Sequence, residues 1–493
     1  MHTSIQLVAL LPFGLMALAA CEAGGHAPAP DAADVGGAPD PFTAQPDTGE
    51  GLTNVSADLD AVLEHGSLAT ACSAYAAAPT DRARRLRCGK AMFFYEGFGT
   101  TGVPRPLVSW LLESFPAEVG PGFARLGMVP DPDSADGLPL GLAPGAPLGS
   151  VETLAFTCAS CHFGRLPDGR YAVGAPNHDL AYGRMNLMLT LTPTMAMPGA
   201  SEAAHDPDAL AVIQPLRDRM AADSSIQASL IGALLPLIFG GSTSLPPFSK
   251  ENERAYAHWR SGTMDFFIQP LPFDDQVHTI SKISALWGIP TDAELADQGI
   301  SNAMLGWTGG TSRLAHFLYS FVDLGGGDPT GWSEDRLAPL ADYIASLRAP
   351  EAANLPSASE VASGRAVYLN ACQTCHGGPR GMGDRLYTFE EIGTDDAIRW
   401  WADGPDQDGQ PCCGLRFPEG DSITHALKSP RLTGLWAMGR FLHNGALDSL
   451  EQLLCLAPRP GARDLAFGDQ GHTFGCELPE ADRDALLTYL RAH

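Results

Sequence analysis

Two pentapeptides carry the chemistry of this chain: Cys158-Ala-Ser-Cys161-His162 and Cys372-Gln-Thr-Cys375-His376. Thiols three positions apart reach the two vinyl-derived carbons on one porphyrin edge, while the adjacent histidine swings its imidazole under the iron. Each pentapeptide is therefore expected to attach one haem c, with His162 and His376 as proximal ligands. A dithiol redox pair or half of a zinc site would need the extra histidine by coincidence, and neither needs it twice. The expected cofactor complement is two covalently bound haem c.

The distal residues decide what such haems do, because an iron ligated on both faces transfers electrons and one with an open face binds dioxygen or peroxide. For the second haem, "DQGHTFGCELPEADRDALL" puts His472 in a loop ahead of the helix that opens at Pro479, the place from which small cytochromes c supply a distal ligand. His443, beside Asn444-Gly445, and Met438 are the alternatives; a methionine would raise the potential, but it more often fills apolar gaps. For the first haem, His178, His258, His278 and His316 lack decisive spacing, with His178 the leading candidate, which leaves an open distal face available. His162 would then ligate the reactive iron. Trp287 and Trp307 fit a relay between haems or ordinary aromatic packing. The acidic run Asp403, Asp406 and Asp408 lacks a complete calcium-binding loop.

The elements that must position these residues read mainly as helices. Helical patterning begins near Ala57 and continues past "DRARRLRCGKAMFF", and "PRPLVSWLLESF" follows Pro104 as an amphipathic helix. Behind His162, Pro167-Asp168-Gly169 is a turn signal between two extended runs, predicting a hairpin beside the first haem. Ser357 and Glu360 form a capping box for a helix that leads into the second motif. The stretches 337–350 and 479–493 read as closing helices, with Tyr343 ahead of Leu347-Arg348 in one and Tyr489-Leu490-Arg491 in the other. This internal repeat predicts a mainly α fold of two tandem cytochrome c-like haem domains, 57–350 and 351–493, the first enlarged with loops and small β-hairpins. The extra sequence of the first domain is where a substrate pocket or access channel would lie.

Residues 3–20 form a short apolar segment ending in small residues, which reads as the core of a signal peptide rather than a permanent span. Leu18-Ala19-Ala20-Cys21 resembles a bacterial lipobox, so Cys21 is expected to become a lipid-anchored mature N-terminus. Residues 21–56, rich in Pro, Gly, Ala and Asp, read as its flexible linker. The haem motifs and the lipobox agree on location, the periplasm or the cell exterior. In that oxidising compartment, of eleven cysteines, Cys72, Cys88, Cys412, Cys413, Cys455 and Cys476 are free to pair; proximity favours Cys72 with Cys88 and Cys455 with Cys476. The 31 basic residues against 57 acidic ones, a formal charge of −26, disfavour nucleic acid as a ligand and favour a basic redox partner.

The chain resembles the diheme cytochrome c peroxidase-like superfamily, and within it the rubber oxygenase-like cytochromes. The resemblance rests on the two haem motifs together with "HTISKISALWGIP" (278–290), "WTGG" (307–310), "EEIGTD" (390–395), "SPRLTGLWAMGRFLHNGALDSLEQLL" (429–454) and "QGHTFGCELPEADRDALLTYLR", and covers roughly residues 150–493. It implies a C-terminal haem with two axial histidines, His376 with His472 or His443, and an N-terminal haem where peroxide or dioxygen reacts. Two positions depart from the family pattern: Gly439-Arg440-Phe441 precedes Leu442-His443 in place of the usual Pro-Tyr-aromatic-His arrangement, and Ala457 stands at the peroxidases' methionine ligand position. The expected function is an exported diheme oxidoreductase, peroxidase-like, or a dioxygenase acting on an apolar substrate. A lipid-tethered electron carrier is the alternative, and it requires both irons to be six-coordinate.

Overall fold

Two helix pairs with one contact geometry frame the chain in the computed structural model, which describes residues 42, 51–63, 66–197, 199–230, 249–265, 280–297, 304–311, 313–324, 329–399, 425–461 and 468–493. Helix Arg82–Tyr95 starts at Asp81, whose carboxylate accepts from the Arg84 amide, and helix Glu334–Ser346 starts at Ser333, whose hydroxyl accepts from the Arg336 amide. The two pack where Gly89 faces Pro339 and Tyr343; a Cβ at Gly89 would collide with the Pro339 carbonyl. The second pair repeats this. Helix Ala358–Ala371, opened by the expected Ser357–Glu360 capping box, meets helix Glu480–Arg491 where Gly364 faces Ala485 and Tyr489. Four residues past each glycine, on the same helical face, an aromatic ring meets the tyrosine: Phe93 against Tyr343 at 6.0 Å and Tyr368 against Tyr489 at 5.3 Å.

Small antiparallel sheets fasten the loops between the helices. The predicted hairpin is present: Phe163–Arg165 pairs with Tyr171–Val173, and Gly169 turns the chain at φ +88°. Strand Thr153–Phe156, ahead of the first motif, lies between Val103–Pro104 and Leu142–Pro144. Two further ribbons pair Leu386–Thr388 with Ala426–Lys428 and Thr263–Asp265 with Ile280–Lys282. The enlargement of the N-terminal part is more helical than expected. Helices Arg105–Ser114, Pro207–Ala221 and Lys250–Ala257 surround an apolar core of their own that includes Leu107, Tyr182, Met188, Ile213 and Tyr256.

Packing does not stop at residue 350. Met382 and Ala437 are buried in the same core as Trp287, Tyr343 and Leu347. The Trp287 indole N–H donates to Val173 O at 2.8 Å, and Arg431 Nε donates to Trp287 O at 3.1 Å. The described residues from 42 onward form one compact unit, so two repeats share a common core. The expected linker ends earlier than residue 56, because its last residues complete the fold. Val55–Ser56 adds a third strand to the hairpin, Lys90 Nζ donates to Thr53 O, and the Tyr343 hydroxyl donates to Asn54 Oδ1. Phe42 contacts Tyr368 and Tyr489 and stacks on His493.

Cys72–Cys88 and Cys455–Cys476 form disulfides, as proximity predicted. The signal peptide, Cys21, the rest of the linker, Cys412, Cys413 and the Asp403–Asp408 run lie outside the described residues. Among the described residues no helix is long and apolar enough to cross a membrane.

Candidate cofactor sites

The first motif forms a short helix, Cys158–His162, whose start is fixed by Thr157: its side chain accepts from the Ala159 amide, and its hydroxyl donates to Phe94 O at 3.0 Å, tying the motif to the first repeat helix. Asn177 holds the other side, donating from Nδ2 to Ser160 O at 3.0 Å and Gly127 O at 2.8 Å. His162 Nδ1 lies 2.9 Å from Ser284 O. Donation to that carbonyl puts the ring proton on Nδ1 and the lone pair on Nε2, the tautomer that suits a metal ligand. Burial pushes the imidazole pKa down to about 4, so it is neutral at physiological pH. The motif opens on a cavity of about 1650 Å³, mouth included, walled by Phe98, Phe156, Tyr182, Met264, Phe317 and Phe321 among others.

The second motif follows its helix directly. Tyr368 donates its hydroxyl to His376 O at 2.6 Å, and His376 Nδ1 lies 2.6 Å from Gly381 O, which again leaves Nε2 as the acceptor nitrogen. Arg380 and Gly381, both at positive φ, turn that carbonyl toward the ring. Cys372, Cys375, His376, Met438, His443 and His472 all line one cavity of about 1790 Å³, mouth included.

His472 faces His376 with ring centroids 6.4 Å apart. Metal–imidazole bonds of about 2.0–2.1 Å, with each nitrogen about 1.1 Å from its ring centre, put two imidazoles on opposite faces of one ion at a centroid separation of roughly 6.3 Å. His472 is held there at cost. Its backbone is left-handed, φ +47°, a conformation that is strained for a side chain with a Cβ. The loop is pinned by the Arg459 guanidinium, which donates to the carbonyls of Asp469, Gly471 and His472, and by the disulfide at Cys476. His472 Nδ1 is shielded from solvent and has no hydrogen-bond partner. Burial and the neighbouring His376 push its pKa down to about 4. A strained, neutral imidazole whose Nδ1 is buried without a partner fits a ligand role better than simple packing.

His443 is differently engaged. Its Nε2 lies 3.5 Å from Asp395 Oδ1 and its Nδ1 3.4 Å from Thr394 Oγ1, while its carbonyl accepts from the Lys282 amide at 2.8 Å. It belongs to the wall around the site. Of the histidines considered for the first site, His178 lies away from the cavity, accepting at Nε2 from the Gly439 amide; His258 pairs with Asp208 on the surface; and His316 contacts Glu334. His278 lies outside the described residues. Among the described residues of the first cavity, His162 is the one histidine.

The donor set fits haem c better than the competing chemistries. The four motif cysteines are free thiols while their neighbours form disulfides. Burial, then the companion thiol, raises Cys158 to about 12; burial raises Cys161 to about 11; burial, then Cys375, raises Cys372 to about 12. Redox-active or metal-binding thiols need the opposite shift. No group of three or more His, Cys, Asp or Glu among the described residues is arranged to hold a metal unaided. An iron carried by a porphyrin needs one or two imidazoles, and these are present.

A feature that the sequence reading missed separates the two cavities. Lys282, Lys428, Arg431 and Trp307 stand in the walls of both. Lys282 Nζ lies over the rings of Trp307 at 5.3 Å and Phe441 at 5.7 Å. Burial lowers the pKa of Lys282 to about 8 and that of Arg431 to about 10, and burial, then Arg431 and Lys282, holds Lys428 well below its usual range. Burying an ammonium costs several kcal/mol, against about 1–2 kcal/mol from a good cation–π contact. The signal available was scarcity: the chain has only four lysines, Lys90, Lys250, Lys282 and Lys428, and two of them sit in apolar stretches.

No family model matches the chain, and no curated protein matches it at a significant level.

Proposed function

We propose that the chain is an exported diheme c-type cytochrome of the diheme cytochrome c peroxidase-like kind, built as two tandem cytochrome c-like units. In this reading Cys158, Cys161 and His162 hold the first haem; Cys372, Cys375, His376 and His472 hold the second. A haem held at the second site would supply electron transfer, and one held at the first would supply peroxide or dioxygen chemistry. The observation that carries the division is the contrast between the cavities: His472, strained and with its Nδ1 unpartnered, faces His376, whereas among the described residues no second histidine lines the cavity of His162.

Bound haem supplies one-electron and oxygen chemistry. The chain's own residues orient and insulate it. Ser284 O and Gly381 O hold the proximal imidazoles in one tautomer, which raises their basicity toward a metal. The first cavity offers an aromatic wall to an apolar ring, and Trp307 gives both sites a common aromatic contact. Lipidation at Cys21 would tether the unit to a membrane facing the periplasm or exterior, and the charge of −26 favours a basic electron donor or acceptor.

The test is turnover. Protein produced with haem maturation and purified with both haems should oxidise a reduced small cytochrome or dye when peroxide is added, and His162→Gly should abolish this while leaving the second haem's spectrum intact. Tight binding of both haems with no turnover on peroxide or dioxygen would leave the electron carrier as the correct function.

A further inference from the structure

Three cations stand where two apolar cavities meet, on separate segments: Lys282 ends strand Ile280–Lys282, Lys428 ends strand Ala426–Lys428, and Arg431 follows three residues on. Neighbouring arginines have carboxylates: Arg380 has Glu294, Arg260 and Arg440 share Asp448, and Arg385 has Glu391. The three at the partition have none among the described residues. Arg431 donates to the carbonyls of Trp287 and Ala285, and the one acidic residue among the described lining of either cavity, Glu391, is taken by Arg385 and the Thr388 amide. A cationic cluster this deep, with no carboxylate against it among the described residues of a chain that has 57 acidic ones, calls for an anionic ligand. The surrounding walls are apolar, so the ligand carries its carboxylates on an otherwise apolar body.

We infer that Lys282, Lys428 and Arg431 form one clamp, shared by both sites, for the carboxylate side chains of the two porphyrins. This rests on the diheme reading and adds to it: the cations neutralise the propionates at the partition, and because each lines both cavities, each acts on both haems. The guanidinium, held by two backbone carbonyls, is the fixed member; the lysines, with no acceptor among the described residues, are the ones that reach.

The test is a redox titration of the purified diheme protein, following both haems by their visible spectra. A cation beside a porphyrin stabilises the added electron, so Lys428→Met is expected to lower both midpoint potentials, by about tenfold in the reduction equilibrium or 59 mV for a one-electron couple. Lys428→Arg keeps the charge and should restore both, which a merely space-filling role for the lysine would not predict. If Lys428→Met does not accumulate with two haems, Lys282→Met carries the same expectation. Potentials that stay put, or move at one haem only, would overturn the shared clamp and leave the diheme reading standing. A wild-type protein that attaches no haem c would overturn the diheme reading itself, and the clamp with it.

Discussion

In the C-terminal repeat, helix Ala358–Ala371 runs straight into Cys372, and the loop bearing His472 precedes the closing helix Glu480–Arg491. In the N-terminal repeat, residues 96–157 separate helix Arg82–Tyr95 from Cys158, and the closing helix Glu334–Ser346 is preceded by helix Leu314–Leu324. The helix crossings are alike, Gly89 with Tyr343 and Gly364 with Tyr489, so the scaffold is repeated while its insertions differ. Where the second repeat places an imidazole ahead of its closing helix, the first places Phe317 and Phe321 in the cavity wall and ties His316 to Glu334. One scaffold with different surroundings ahead of its two closing helices is what the proposed division between a closed and an accessible iron rests on.

The sharpest way to break this comparison is to remove an attachment site. Cys372→Ala with Cys375→Ala is expected to halve the covalent haem per chain and to unfold the wall around His443, whereas Cys158→Ala with Cys161→Ala should halve it and leave the second low-spin spectrum in place; haem absorbance per protein after denaturation checks both. The helix crossings come next. Gly364→Val and Gly89→Val each force a side chain into a backbone carbonyl and should cost about 3 kcal/mol or more, read as a lower midpoint in denaturant; equal losses would confirm that the two crossings are equivalent. Opening the Cys455–Cys476 disulfide by Cys476→Ser should cost about 3 kcal/mol and release the His472 loop, so that the low-spin spectrum melts before the fold does. Opening Cys72–Cys88 should cost a similar amount without that early spectral loss. The smallest effect is expected at His443→Ala, which should leave the second haem low-spin, and at His178→Ala, which should leave the first haem's spectrum unchanged because that ring is engaged by the Gly439 amide away from the first cavity.

Much of this was legible in the sequence because it is local. The haem motifs, the Pro167-Asp168-Gly169 hairpin, the Ser357–Glu360 capping box and the two nearest-neighbour disulfides depend on residues close together in the chain. The tyrosines of the closing helices announced the repeat, but Gly89 and Gly364 did not stand out, since a glycine inside a helix declares its purpose only when the partner helix is placed against it. The position of His472 before the last helix is legible in the sequence, and so is its candidacy as a ligand. Its distinction from His443 needed three-dimensional information: Asp395 and Thr394 lie about fifty residues before His443 in sequence, and they are what occupies that ring. The cationic partition was invisible for the same reason, since Lys282 and Lys428 meet only through separate hairpins. The linker was drawn too long because Val55–Ser56 is composed like a tether and becomes structured only through pairing with Tyr171–Ala172.

The central claim is one closed iron and one accessible iron on a repeated scaffold. Electron paramagnetic resonance of the purified diheme protein, oxidised and half-reduced, with and without peroxide, tests it most directly. The account predicts one low-spin signal that disappears in His472→Ala and a second signal, from the haem on His162, that changes when peroxide is added. Two low-spin signals that ignore peroxide in both oxidation states, or a low-spin signal that survives the loss of His472, would contradict it.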